Sequence, residues 1–115
     1  MTMRVVLVAV SSSAVLFGAT FSANAQEAGK EAFLSNGCNR CHAVESQGIE
    51  ATAQSKRVRG PDLSKIGESR DAEWLAKYIE KEVQANDKDH PVAWKGDNEA
   101  LEAMATWLAS LKTGT

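Results

Sequence analysis

The sequence predicts an all-α domain, and three observations carry that expectation. Leu75, Ile79 and Val83 recur at four-residue spacing, and Leu101, Met104, Leu108 and Leu111 form a second stripe of helical period. No segment alternates apolar and polar residues at period two, and no internal repeat is present. The chain has 115 residues, so one domain is the default.

The first 25 residues read as a cleaved secretory signal. Arg4 supplies a short positive region, residues 5–10 form a compact apolar run, and Ala23-Asn24-Ala25 matches the small-x-small cleavage pattern. Gln26 is then the expected mature N-terminus, with residues 26–115 as the folded domain. No Cys follows the cleavage site, so no lipoprotein anchor is expected, and no run of 18 apolar residues points to a permanent membrane span. Arg4 is the only charge removed, which leaves 12 basic against 15 acidic residues. That balance does not suit a nucleic-acid binder. Export places the domain in an oxidising compartment, here the bacterial periplasm.

Residues 26–36 read as a short helix with Ala28, Ala32 and Phe33 apolar, ended by Gly37. Residues 43–60 show no sustained periodicity and close on Lys56-Arg57-Val58-Arg59, which predicts a long loop or a loose helical turn. Residues 71–85 predict an amphipathic helix in which Trp74 and Tyr78 flank the apolar stripe. Asn86-Asp87-Lys88-Asp89 breaks it, and His90-Pro91 opens an extended stretch because proline disfavours helix in the residue before it. Asp97 is placed to cap the last helix, with Trp107 beside its stripe.

Chemistry concentrates in Cys38-Asn39-Arg40-Cys41-His42. Cys-x-x-Cys-His is the attachment signature of c-type haem. Two thiols at that spacing can each add to one of the haem's two vinyl groups, and the next residue, His42, is then directed at the iron. Other readings exist. A thioredoxin-like redox pair needs a strand before Cys38, and none is predicted. A zinc site would consume Cys38, Cys41, His42 and His90, the whole inventory, with an adjacent Cys-His that fits usual zinc spacing badly. A plain Cys38–Cys41 disulfide is the third. The signal segment, the motif and the all-α pattern agree on one covalently attached haem c.

From these residues the chain resembles the class I monohaem cytochromes c over nearly all of residues 26–115. The resemblance rests on the helix carrying Gly29 and Phe33 before the haem motif, on Gly60-Pro61-Asp62-Leu63, and on the closing helix of residues 101–112. It implies a small fold of three to five helices around the haem, with the first and last helices crossing near Gly29, Phe33 and Trp107. It further implies that the Pro61 carbonyl fixes the His42 tautomer and that Leu63 packs on the haem face. A simple turn proline is the other reading of Pro61.

The resemblance fails at the distal ligand. Past Gln26 the only Met is Met104, and its place in the helical stripe makes it a core residue. Where the family carries Met-Pro before the last helix, this chain has His90-Pro91, seven residues before Asp97. The expectation is bis-histidine ligation, His42 proximal and His90 distal. Trp94 has three readings: covering the distal haem edge, donating its indole N–H to a propionate, or ordinary packing. Lys56, Arg57 and Arg59 either pair with propionates or form a solvated basic patch.

No catalytic constellation competes, so the expected function is single-electron transfer by a monomeric carrier and not an enzyme. Its expected partners are other redox proteins: a multihaem cytochrome, a quinol-linked enzyme or a terminal oxidase. Two alternatives are a gas-binding or peroxidatic haem protein with a labile distal site, and the cytochrome subunit of a periplasmic dehydrogenase.

Overall fold

The computed structural model describes residues 19–113. Arg4 and the apolar run at residues 5–10, on which part of the signal reading rests, lie outside the described residues. Three α-helices make the frame: α1 (Ala19–Ser35), α2 (Ala72–Ile79) and α3 (Asn98–Ala109). Three short 3-10 turns, Cys38–Arg40, Glu45–Gln47 and Ile66–Glu68, punctuate the long connection from α1 to α2. Among the described residues there is no strand, only two isolated antiparallel bridges. The helical expectation holds.

α1 ends as the sequence predicts. Gly37 adopts a left-handed φ of 71°, and its N–H bonds the Leu34 carbonyl at 3.1 Å. The buried face is Gly29, Ala32 and Phe33, whereas Ala28, expected among the apolar positions, is exposed. That face crosses α3. A Cβ built on Gly29 would collide with the Ala103 carbonyl and the Trp107 side chain, so the two backbones approach as closely as a glycine permits. Beside the crossing, Phe33 and Trp107 meet edge to face, 5.4 Å between ring centres.

α3 starts where Asp97 accepts the Ala100 N–H at 2.7 Å, and it buries Leu101, Met104, Ala105, Trp107 and Leu108. With Leu111 just beyond, this stripe is the backbone of the core. The Ile66–Glu68 turn seals its far end: the Gly67 N–H donates to the Leu111 carbonyl at 2.9 Å.

α2 is shorter than predicted. Asp71 is its cap, accepting the Trp74 N–H at 2.8 Å, but the helix stops at Ile79 instead of continuing to residue 85. Lys81 takes a left-handed φ of 63°. Its N–H bonds the Tyr78 carbonyl, and the Glu82 N–H reaches the Lys77 carbonyl at 2.8 Å. These two bonds close the helix end in the manner usually served by glycine. Val83, four residues after Ile79, therefore falls outside the helix. A left-handed lysine is costly, so Lys81→Gly should raise stability by about 1 kcal/mol. A thermal unfolding midpoint unchanged or lowered would contradict this.

The loop of residues 43–60 has more order than its composition suggests. Val44 and Ile49 exchange both backbone bonds, at 2.9 and 3.1 Å, and both side chains are buried. Gly48, at φ 70°, closes the intervening turn. A second tight closure precedes His90. Ala85 and Lys88 exchange bonds across Asn86 and Asp87, whose φ values of 51° and 61° define a type I′ turn.

Candidate haem site

Cys38, Cys41 and His42 lie on one turn. The Cys41 and His42 N–H groups both bond the Cys38 carbonyl, at 3.3 and 3.0 Å, which gathers the two side chains and the imidazole within a few residues. Both cysteines are free thiols and half-buried. Burial pushes the Cys38 thiol above its ordinary pKa, against a smaller opposing pull from its backbone. Its sulfur lies 3.8 Å from that of Met104, which is fully buried in the α3 stripe. Met104 is a core residue, as its spacing indicated.

A strap from Gly60 to Leu63 holds this turn. The Gly60 N–H donates to the Cys41 carbonyl at 2.7 Å, and the Leu63 N–H to the Ala43 carbonyl at 3.0 Å. Between them His42 Nδ1 lies 2.8 Å from the Pro61 carbonyl oxygen. Only an N–H can satisfy that contact, so the proton sits on Nδ1 and the lone pair on Nε2. Burial, with His90 nearby, lowers the His42 pKa despite the opposing Pro61 bond, which favours the neutral ring. Leu63 is half-buried against the core. Asp62, between Pro61 and Leu63, accepts the Ser64 N–H at 2.7 Å and the Glu45 N–H at 3.3 Å, pinning the strap from its outer side.

His90 stands opposite. Its ring centre is 6.2 Å from that of His42, with the two planes inclined by 17°. His90 Nδ1 is 2.6 Å from the Val92 carbonyl oxygen, so this imidazole also carries a proton on Nδ1, which leaves Nε2 as the nitrogen open to a metal. Tyr78 of α2 meets the His90 ring edge to face at 5.3 Å. The sequence reading did not single out the Val92 carbonyl or this Tyr78 contact. Pro91 was a partial signal for the first, and nothing local signals the second.

Two of the residues offered to the haem periphery are engaged elsewhere. The Trp94 indole N–H, one of whose readings gave it to a propionate, donates to the Asp97 carbonyl at 3.1 Å at the start of α3. Its ring packs against the core. Arg59 Nε donates to the Ala53 carbonyl at 2.7 Å and closes its own loop. Lys56 and Arg57 are exposed.

The residues present fit a covalently held haem: two free thiols precede an imidazole that burial favours as neutral, and a second imidazole, also held at Nδ1 by a backbone carbonyl, lies 6.2 Å from it. A helical frame around this arrangement defines a c-type haem protein. The chain belongs to the cytochrome c family, whose model matches residues 26–112. No curated protein and no solved structure matches it. The family binds covalently attached haem c and serves in electron transfer. Among the described residues no helix is long and apolar enough to cross a membrane.

Proposed function

We propose that this cytochrome c is an exported, periplasmic single-electron carrier with one haem, tethered by Cys38 and Cys41 and ligated by His42 and His90. The haem supplies a one-electron couple at its iron. The protein's part would be to hold His42 and His90, their Nδ1 hydrogens fixed by the Pro61 and Val92 carbonyls, as the two ligands of the iron, which would leave no place for a substrate.

One observation carries the reading: the 6.2 Å spacing of two rings whose Nδ1 hydrogens both go to backbone carbonyls. Two imidazoles that share one metal atom through nitrogen, at about 2.0 Å per bond, place their ring centres about 6 Å apart. Replacing the usual methionine by imidazole lowers the potential, because thioether ligation favours ferrous iron. Periplasmic residence is supported by Arg4, the apolar run and Ala23-Asn24-Ala25. Suitable partners are redox proteins whose encounters are small and transient: a multihaem cytochrome, a quinol-linked enzyme or a terminal oxidase.

The test is the absorption spectrum of ferric and ferrous holoprotein, parent and His90→Ala. The parent should be low-spin without the red-region band of methionine-ligated ferric haem, and His90→Ala should become high-spin and bind CO readily. A His90→Ala protein that stays low-spin would overturn the ligation. Rapid CO binding by the parent at neutral pH would instead favour a gas-binding haem protein.

A further inference from the structure

A column of ring contacts runs from the surface of α2 to His90, and holding a haem by two thiols and two imidazoles does not require it. The Arg70 guanidinium carbon lies 3.7 Å over the Trp74 ring centre. Trp74 stacks on Tyr78 at 4.9 Å with planes 24° apart. Tyr78 then meets His90 at 5.3 Å and 79°. Arg70, Trp74 and Tyr78 follow at four-residue spacing, which places the two aromatic residues on one stripe of α2 with Arg70 at its entrance. His90, by contrast, sits on a loop between the type I′ turn and α3. A ligand on a loop needs a wall against which its rotamer is fixed.

We propose that Tyr78, backed by Trp74 and Arg70, is the positioning residue that keeps His90 in its ligating orientation. The inference rests on His90 as distal ligand. The Val92 carbonyl fixes which nitrogen of His90 carries the proton, but a ring can pivot about such a bond. The Tyr78 ring blocks the swing on one side, and the Trp74 stack and the Arg70 cation keep Tyr78 from yielding. Removing the wall raises the share of molecules with His90 detached, and only these accept an external ligand.

The experiment follows CO capture by the reduced holoprotein by stopped flow, with the ferric spin state and thermal midpoint recorded on the same samples. Tyr78→Leu, which keeps an apolar side chain but removes the ring, should speed capture by about tenfold or more. Tyr78→Phe should stay within about threefold of the parent, because the ring and not the hydroxyl makes the contact. Trp74→Leu leaves Tyr78 in place and should give an intermediate rate, which keeps the proposal testable if Tyr78→Leu folds poorly. Parent-like capture in both leucine variants would overturn it, as would Tyr78→Phe matching Tyr78→Leu. His90→Ala separates the two levels: if it stays low-spin, the ligation itself fails. If it turns high-spin while the leucine variants behave as the parent, only the bracing role fails.

Discussion

Under the proposed ligation, Gly60→Ala should strip the haem of His42 while leaving the proposed thioether tethers in place. A Cβ on residue 60 would fall within the His42 imidazole, 2.7 Å from Nδ1 and 2.9 Å from Nε2. The backbone cannot retreat cheaply, because Gly60 bonds the Cys41 carbonyl and the next residue holds His42. Either the imidazole leaves the Pro61 carbonyl or the strap lifts from Cys41 and Ala43. Overpacking of this kind costs about 1–3 kcal/mol, and here the strain falls on His42, the proposed ligand. The low-spin spectrum should be lost at neutral pH. Gly48→Ala is the control: its φ of 70° makes alanine unfavourable by about 1 kcal/mol, but a Cβ there meets nothing within 4 Å. Its spectrum should match the parent. A low-spin Gly60→Ala protein of parental stability would refute the steric account.

Gly29→Val should be the most destabilising single change at the helix crossing. The new side chain would strike the Ala103 carbonyl and the Trp107 Cβ, so α1 must move off α3 as a body. That movement also opens the Phe33–Trp107 contact, worth about 0.5–1.5 kcal/mol beyond its buried area. Together with the overpacking, the loss should be about 3 kcal/mol, a fall in thermal midpoint of roughly 12–24 °C for a domain of this size. A fall of only a few degrees would show that the helices slide past one another at little cost.

The sequence made the Asp97 cap and the core stripe legible because both are short-range. Asp97 sits three residues before the N–H it accepts, and Leu101, Met104 and Leu108 share a face whatever the rest of the chain does. The haem motif was legible for the same reason, since the Cys38–His42 turn closes on itself. The end of α2 was not. Helical period continues through Val83, but the chain turns at Lys81 into a conformation that lysine's own preference disfavours. Val44 and Ile49 were invisible as core because two buried residues facing one another across a turn create no period. Trp94 was ambiguous because its indole partner is a backbone carbonyl, which no sequence displays. The place of Tyr78 beside His90 escaped notice because that contact depends on how the intervening turn returns.

The close crossing of α1 and α3 also bears on when the domain can fold during its synthesis. Gly29 and Phe33 find their partners at Ala103 and Trp107, so about 70 residues must be made before the apolar face of α1 is covered. The growing chain therefore exposes Ala32 and Phe33 until its last helix emerges, and the core closes as a late, long-range event. A nascent chain stalled before residue 98 lacks α3 altogether and should remain open to proteases and holdase chaperones.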